Sequence, residues 1–300
     1  MTDYIGTFET YLLTQKRVSR NTLESYMLDI LQFNKYLTSK KIELKSACEA
    51  DIADFFSMLR KKKKLAARSL SRKISSLKIF YVFLGEKFGF ANITLNLVFP
   101  KLEKKLPNFL TEAEVYTILD CAQKLTSDLA ERNNILLKLL YVTGIRISEA
   151  TNLKLSDINF EDNLIMVQGK GNKERLVPIP ADFSENIKNF VKNYQEKILK
   201  NKTSEYLFAV KNRGRVKNIT RQAAWFILKK IVLKSGVQKR VTPHTLRHSL
   251  ATHLLEKGAN LRSLQVWLGH ENLSTVEIYT HVNTEHLRKV YDKKHPRSSK

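Results

Sequence analysis

A short polar segment bounded by prolines restricts the architecture of this chain more than any other feature. Residues 100–107 read PKLEKKLP, and both the prolines and the clustered lysines disfavour a regular element there. The pattern predicts a linker at residues 101–110, between one domain at residues 1–100 and another at residues 111–300. Since the chain has 300 residues, each part is long enough to bury a core of its own.

The first domain has the apolar spacing of helices. Apolar residues recur every three or four positions in YIGTFETYLLTQ, TLESYMLDILQFNKYL, DIADFFSMLRK and RSLSRKISSLKIFYVFLGEKFG. Ser19 stands before the second of these segments and Asp51 near the start of the third, and both residue types suit a helix N-terminus. The pattern predicts an all-α N-domain.

The second domain combines helical patterns with one strand-turn-strand pattern. NLIMVQ, GKGNK and ERLVPIP predict a β-hairpin with a glycine-rich turn. Helical spacing flanks the hairpin, from TEAEVYTILDCAQ before it to NLRSLQVWLG and STVEIYTHV after it. The fold class predicted for the whole chain is mainly α with a small β-hairpin or sheet, divided into a helical N-domain and an α+β C-domain.

The charge composition indicates a polyanionic partner. The chain has 52 Lys and Arg against 29 Asp and Glu, a formal net charge of +23. Nucleic acid is favoured over a membrane surface, because no clear basic amphipathic helix or lipidation motif is present. A solvated surface is the alternative for the lysine run. The candidate DNA-contacting residues are Lys61, Lys62, Lys63, Lys64, Arg68, Arg72, Lys73 and Arg221.

Membrane insertion and cysteine chemistry are disfavoured. The sequence shows no signal-peptide pattern and no uncharged apolar run of about 20 residues, which predicts a cytoplasmic protein. Cys48 and Cys121 are far apart and match no metal-ligand spacing. We expect two reduced, buried cysteines and no cofactor.

An anion-binding helix start is predicted in TPHTLRHSLATH. Thr242 suits the N-cap and Pro243 the first helical position, which puts His244 and Arg247 in the first turn. Free backbone N–H groups and the helix dipole favour an anion there. Taken alone, the pair also fits a purely structural role in so basic a chain.

A zinc site is the alternative for the same helix. His244 and His248 are four positions apart and share a helix face, as zinc ligands do. Thr245, however, stands where a glutamate base would be, and Arg247 places a positive charge beside the ion. No metal is therefore predicted.

Two further segments offer basic side chains. The hairpin turn QGKGNKER presents Lys170 and Lys173, either of which could deliver a proton to a substrate held elsewhere, unless the turn is only a solvated loop. YVTGIRISEA places Arg146 at a break between two helical patterns. Arg146 is there either a surface arginine or one that Glu149 orients.

The segment LGHENLSTVEIYTH contains a histidine, His270, and a tyrosine, Tyr279. Ser274 and Glu277 form a capping-box pattern, which predicts that Tyr279 lies in the second turn of a helix. By itself the pattern fits a packing tyrosine as well as a nucleophile.

Six residues together meet the needs of phosphodiester transesterification. Two arginines can bind the non-bridging oxygens as charge grows on pentacoordinate phosphorus. A phenol with an ordinary pKa of about 10 needs histidines or a cationic field to become a nucleophile. A lysine can protonate the leaving 5′-oxygen. The six are Arg146, Lys170, His244, Arg247, His270 and Tyr279.

Four strings resemble, in chain order, the signature boxes of tyrosine site-specific recombinases, and the match is closest to the bacterial Xer type. The strings are TGIRISE, GKGNKERLVPIP, TPHTLRHSLATHLLEKGANLRSLQVWLGH and STVEIYTHV. The resemblance covers essentially the whole chain; Ile145 and Ala150 stand where leucine is commoner. It implies a core-type DNA-binding N-domain and a catalytic C-domain.

The resemblance also implies a role for each basic residue on the phosphate. Arg146 and Arg247 would clamp the scissile phosphate, and His244 would assist proton transfer. Lys170, which the family pattern selects over Lys173, would be the general acid.

The last two roles concern the nucleophile segment. His270 would hydrogen-bond the phosphate, and Tyr279 would attack it to give a 3′-phosphotyrosyl DNA and a free 5′-hydroxyl. Because the phosphotyrosine preserves the energy of the broken ester, rejoining would need neither ATP nor a metal ion.

As partners, the resemblance implies a double-stranded DNA recombination site and a homo- or hetero-tetramer on two duplexes, formed alone or with a paralogous recombinase. A DNA translocase is the implied activator. Resolution of chromosome or plasmid dimers is preferred over integration of a phage or mobile element, because the residues before the linker leave no room for an arm-binding domain. A type IB topoisomerase and a non-catalytic architectural DNA-binding protein are competing hypotheses.

Overall fold

A computed structural model describes residues 3–63, 65–100, 109–127, 129–169, 173–197, 199, 202–212 and 214–269, with the backbone alone at 62–63, 194–197 and 212. The chain divides into two compact units, Met1–Leu106 and Pro107–Lys300. Each unit has its own hydrophobic core.

The first unit contains, within its described residues, the four helices that the apolar spacing predicts. Ser19 caps the second helix, because its Oγ accepts the backbone N–H of Thr22 at 3.3 Å. The fourth helix ends at Gly89, whose φ of +69° is left-handed, a conformation that glycine adopts without a steric penalty. The helices are α1 (Tyr4–Thr14), α2 (Arg20–Ser39), α3 (Glu49–Lys63) and α4 (Ala67–Phe88).

The core of this unit is rich in aromatic side chains. Phe8 and Phe80 meet edge to face with ring centroids 4.9 Å apart, and Phe33 and Phe55 do so at 5.1 Å. Such pairs add to the stability gained from burial alone. Tyr81 is also buried here, and within the described residues its hydroxyl has no hydrogen-bond partner.

A buried ionic cluster links α2 to α4. Asp29, only 1% exposed, accepts hydrogen bonds from Lys73 Nζ at 2.7 Å, Arg72 Nη1 at 2.6 Å and Ser76 Oγ at 3.2 Å. Lys73 Nζ also donates to Gln32 Oε1 at 2.6 Å. The cluster satisfies a carboxylate that would otherwise be costly to bury.

The second unit is helical around two small sheets. Its helices are α5 (Glu112–Gln123), α6 (Ala130–Thr143), α7 (Ile147–Asn152), α8 (Ala181–Lys197), α9 (Arg221–Ser235), α10 (Pro243–Glu256) and α11 (Leu261–Leu268), with a 3₁₀ turn at Leu155–Asp157. Its strands are β1 (Ile158–Asn159), β2 (Leu164–Gln168), β3 (Glu174–Pro178), β4 (Ala209–Asn212) and β5 (Arg215–Asn218).

Strands β2 and β3 form the predicted hairpin. They are antiparallel with Ile165 opposite Val177, and β1 extends the sheet on the other side of β2. The predicted fold class, mainly α with a small sheet, is confirmed. The second sheet, β4 with β5, was not predicted, because half of the residues in KNRGRVKN are charged and the segment lacks apolar alternation.

Helix α6 lies at the centre of the second core. Leu136, Leu137, Leu139 and Val142 are at most 1% exposed although they point to different sides of the helix, as expected of a helix covered all round. Leu110, which the sequence places at the end of the linker, is also fully buried in this core. Its N–H donates to Ser249 Oγ at 2.8 Å.

No helix within the described ranges has the length and apolar character that crossing a bilayer requires. The two cysteines are free; Cys48 is exposed and Cys121 partly buried. The prediction of a buried cysteine is therefore wrong for Cys48, which precedes α3 at the surface.

Candidate catalytic site

The site begins at the start of α10. Thr242 Oγ1 accepts the backbone N–H of Thr245 at 3.1 Å, and Pro243 occupies the first turn. The predicted helix start is thereby confirmed. His244 and Arg247 follow in that turn; His244 is exposed, whereas Arg247 is only 5% exposed.

Arg247 connects three parts of the second unit. Its Nη1 donates to the carbonyl oxygen of Gly144, just after α6, at 2.7 Å, and its Nη2 donates to the carbonyl oxygen of Leu268 at the end of α11. Burial and the charges of Arg146 and Arg175 lower the pKa of the Arg247 guanidinium to about 10. Arg247 is thus still a cation at neutral pH, held at a buried position.

Arg146 is oriented by Glu149. Of the two interpretations that the sequence allowed for Arg146, the structure therefore confirms an arginine that Glu149 orients. Its Nη1 donates to Glu149 Oε1 at 2.9 Å, and its backbone N–H to Glu149 Oε2 at 2.7 Å. Its Nη2 donates to the carbonyl oxygen of Gly269 at 3.0 Å. Because the side chain is still 40% exposed, an anion can approach it from solvent.

A third arginine, Arg175 on β3, belongs to the same site and was not selected from the sequence. It donates to both oxygens of Glu149, at 3.1 and 2.8 Å, and its Nε donates to the carbonyl oxygen of Trp267 at 2.8 Å. Glu149 lies 26 positions away in sequence, so no local pattern connects the two. The only signal was the position of Arg175 within the matched string GKGNKERLVPIP.

Two guanidinium groups, those of Arg146 and Arg175, therefore hold one buried carboxylate, and the charge of Arg247 also interacts with it. Burial raises the pKa of Glu149, but the hydrogen bonds and charge of Arg175, followed by the bonds from Arg146, outweigh it and hold the pKa below its ordinary value. Glu149 is consequently ionised at neutral pH. With Arg247 included, the described part of the site carries an excess of positive charge, which favours a phosphate.

His244 has the properties of a proton acceptor at this site. Partial loss of hydration, followed by the charges of Arg247, His248 and Arg146, lowers the pKa of its imidazole below the ordinary value of 6.5. The neutral form therefore dominates at neutral pH. His244 and the candidate Arg221 line the same cleft of about 830 Å³, between the starts of α9 and α10.

Three of the six predicted catalytic residues lie outside the described residues: Lys170, His270 and Tyr279. The Ser274 and Glu277 capping pattern lies there too. Their positions in the chain are nevertheless informative, since Lys170 falls between β2 and β3 and His270 directly follows Gly269. The base of the hairpin turn is closed by Gly169 N–H, which donates to the Lys173 carbonyl oxygen at 2.7 Å.

The candidate DNA-contacting residues fall into three groups. Lys61, Arg68 and Arg221 are exposed. Lys73 is not: its side chain is 7% exposed and is paired with Asp29, so the expectation that Lys73 faces a phosphate does not fit the structure. Arg72 is half-buried and paired with the same carboxylate. The side chains of Lys62, Lys63 and Lys64 lie outside the described part of the chain.

The zinc alternative for this helix requires several ligand side chains that converge on one point. Among the described residues, no three His, Cys, Asp or Glu side chains converge as metal ligands would. His248 instead contributes to the positive field around His244.

Family models match both units. Residues 108–286 match the model described as "Phage integrase family", and residues 5–87 match "Phage integrase, N-terminal SAM-like domain". Together the two matches span most of the chain. The first covers the arginine site of the second unit, and the other covers the helices of the first unit.

Similar proteins extend over nearly the full length. Tyrosine recombinase XerD of Oceanobacillus iheyensis is 37% identical over 297 residues, which cover 98% of each chain. Tyrosine recombinase XerC of the same organism is 40% identical over 301 residues, 99% of this chain and 97% of the relative. The chain therefore belongs to the phage integrase family, as a tyrosine recombinase of the Xer type and thus an enzyme of site-specific recombination.

Solved structures share the fold. The crystal structure of XerA recombinase is 29% identical with a TM-score of 0.50, and the match covers 98% of this chain and 99% of that one. The crystal structure of XerH site-specific recombinase bound to difH substrate, in a pre-cleavage complex, is 24% identical with a TM-score of 0.69, covering 94% and 83%.

Proposed function

We propose that this protein cuts and rejoins duplex DNA at a recombination site through a 3′-phosphotyrosyl intermediate. One observation carries the proposal. Arg146 lies about 100 positions before His244 and Arg247 in the chain, and the fold brings these three side chains together beside the start of α10. The arrangement suits a phosphate, because two forked cations and the N-terminus of a helix lie together.

The two arginines supply the electrostatic part of the reaction. Negative charge grows on the non-bridging oxygens when the phosphorus becomes pentacoordinate, and donors fixed in advance stabilise that charge most. Arg247 is fixed by Gly144 and Leu268. Arg146 is fixed by Glu149, and its side chain remains 40% exposed, so a substrate phosphate can approach it.

Proton transfers complete the cleavage step. The Tyr279 oxygen bonds to phosphorus while its proton is taken up with help from neutral His244. The bond from phosphorus to the 5′-oxygen breaks, and that oxygen leaves with the electron pair and receives a proton from Lys170. His270 hydrogen-bonds the phosphate. Rejoining is the same sequence in reverse with a different 5′-hydroxyl, so neither ATP nor a metal is consumed.

DNA binding is assigned to both parts of the chain. Residues 1–100 form a helical core-type DNA-binding domain, residues 101–110 a linker and residues 111–300 the catalytic domain. The net charge of +23 and the exposed Lys61, Arg68 and Arg221 support contacts with the phosphate backbone. Four protomers then act on two duplexes.

The biological role is the resolution of chromosome or plasmid dimers when DNA is segregated at cell division, in the cytoplasm. Similarity to both XerC and XerD of one organism is compatible with a homotetramer or with a paralogous partner. A DNA translocase is the proposed activator.

A suicide substrate tests the chemistry. DNA nicked beside the scissile phosphate loses its short 5′-hydroxyl fragment after cleavage and traps the covalent complex. We expect an adduct with the wild-type protein and none with Tyr279→Phe, while gel-shift affinity is unchanged and weakens steeply with salt. An adduct formed by Tyr279→Phe would disprove the nucleophile assignment.

A plasmid carrying two directly repeated sites tests the outcome. Recombination yields two smaller circles, which we expect in the presence of any required paralogue. Relaxation of supercoils without recombinant circles would instead indicate a topoisomerase.

A further inference from the structure

Arg175 joins three elements of the catalytic unit. It projects from β3, is 12% exposed, and donates to Glu149 on α7 and to the carbonyl oxygen of Trp267 on α11. All of these acceptors lie within 3.1 Å of a guanidinium nitrogen. A forked guanidinium can hold acceptors in three directions at once, which a lysine ammonium cannot do with fixed geometry.

Glu149 is shared between Arg175 and Arg146. Each carboxylate oxygen accepts one bond from each arginine: Oε1 from the two Nη1 atoms, and Oε2 from Arg175 Nη2 and the backbone N–H of Arg146. Since the Glu149 side chain is only 5% exposed, water cannot readily replace a lost partner. The position of Arg146 therefore depends on a carboxylate that Arg175 also holds.

The end of α11 is held in the same way. Its last carbonyl oxygens have no partner within the helix, and three successive ones accept bonds from three different arginines: Trp267 from Arg175, Leu268 from Arg247 and Gly269 from Arg146. Gly269 has a φ of +66°, and a Cβ there would lie 3.2 Å from Arg175 Nη1. Arg175 thus packs directly against the turn that ends α11.

We propose that Arg175 is a positioning residue of the recombination reaction, which holds the Glu149 carboxylate in place and thereby fixes Arg146 against the end of α11. The inference rests on the proposed function, in which Arg146 binds the scissile phosphate. Arg175 itself does not touch the phosphate; it acts through Glu149.

The ionisation of Glu149 gives the proposal a pH signature. The charged groups that act on this carboxylate are Arg146 just before α7, Arg175 on β3 and Arg247 on α10. The titratable His244 interacts with Arg146 and Arg247. Burial raises the pKa of Glu149, and Arg175 is the larger of the two arginine contributions that lower it. Loss of Arg175 should therefore raise the pKa of Glu149 and move the acid limb of the activity to higher pH.

The test is single-turnover adduct formation by the full-length protein on the suicide substrate, measured against pH. For Arg175→Gln we expect a rate loss on the order of 10- to 100-fold at neutral pH, an acid limb at higher pH, and DNA affinity within a few-fold of wild type. Arg175→Lys, which keeps one charge, should recover part of both effects. Arg132→Gln is the matched control, because it also removes a buried arginine, 5% exposed, but one paired with Asn133 away from the site.

The double variant Glu149→Gln, Arg175→Gln assigns the pH shift. A glutamine at position 149 would not titrate. If the shifted acid limb of adduct formation reflects protonation of Glu149, it should therefore disappear in the double variant; if it reflects protonation of His244, it should remain. A wild-type rate and a wild-type acid limb in both Arg175→Gln and Arg175→Lys would overturn the proposal, as would a shifted limb in Arg132→Gln. If wild type itself forms no adduct, the proposed function fails instead.

Discussion

Arg247 and Gly144 are 103 positions apart in the chain, and a 2.7 Å hydrogen bond joins the guanidinium of one to the carbonyl oxygen of the other. The bond depends on the backbone of Gly144, whose φ of +63° turns the chain out of α6. A Cβ at this position would lie 2.7 Å from Leu268 Cδ2 and 2.9 Å from Leu250 Cδ2. The glycine thus admits both the turn and the close approach of α10 and α11.

We therefore expect Gly144→Ala to damage the site as well as the fold. The left-handed backbone should cost about 1 to 2 kcal/mol, and the contact with two leucines a further 1 to 3 kcal/mol or so. Urea unfolding and adduct formation measure the two effects. Gly236→Ala is the control, since its φ is +76° but a Cβ would meet nothing within 4 Å; equal losses in the two variants would contradict the steric argument.

The protonation of His244 provides a second prediction. Its pKa lies below 6.5 because of partial dehydration and the charges of Arg247, His248 and Arg146. The neutral base is then present at pH 7, and cleavage should slow as the pH falls through the lowered pKa. Because the folded pKa is the lower one, this histidine's contribution to stability is complete above the unfolded pKa and decreases as the pH falls.

An NMR titration of the His244 ring checks this directly. In Arg247→Gln the pKa of the His244 imidazole should rise, because the charge of Arg247 contributes more to the lowered pKa than the charge of His248 does. In His248→Gln the pKa of His244 should therefore change less. An unshifted His244 pKa in wild type would show that the positive field does not reach the ring.

The buried ion pair in the first unit makes a third prediction. Lys73→Met removes the buried cation beside a carboxylate that is 1% exposed and leaves Asp29 with Arg72 and Ser76. We expect a loss of about 3 kcal/mol in the free energy of unfolding. Lys61→Met, at an exposed position of the same unit, should change stability by about 0.5 kcal/mol or less but weaken DNA binding. If Lys73→Met instead weakened DNA binding without loss of stability, and Lys61→Met left DNA binding unchanged, Lys73 would contact DNA and Lys61 would not.

A fourth prediction concerns a buried hydroxyl. Tyr81 is 1% exposed, its hydroxyl has no partner among the described residues, and burial raises the pKa of its phenol. Tyr81→Phe should be neutral or stabilise the protein by up to about 1 kcal/mol, because it removes a polar group that is costly to bury.

Tyr141→Phe is the comparison variant, and calorimetry measures the stability of both variants. Its hydroxyl lies 3.0 Å from His253 Nδ1, so the same substitution should destabilise the protein by about 1 kcal/mol or more. A clear loss of stability in Tyr81→Phe would mean that its hydroxyl has a partner in solution.

Features set by neighbouring residues were readable in the sequence. Helix starts at Ser19 and Thr242, the hairpin of β2 and β3, and the pairing of Arg146 with Glu149 all involve residues at most a few positions apart or a regular repeat. The matched strings added the family and the six catalytic candidates. Of these, Lys170, His270 and Tyr279 remain predictions from sequence, because they lie outside the described residues.

Other features depend on contacts between distant segments, which no local pattern records. The sequence presents Lys73 as one more cation after a lysine run, and only the packing of α4 on α2 buries it against Asp29, 44 positions away. Arg175 looks like a solvent-facing strand residue until β3 lies beside Glu149 and the end of α11. The sequence by itself determined the helices and the family, and it predicted the chemistry of the site. The tertiary structure decided which arginine side chain stays open to solvent and which ones are buried and hold other residues in place, because burial and hydrogen-bond partners arise only when the chain is packed.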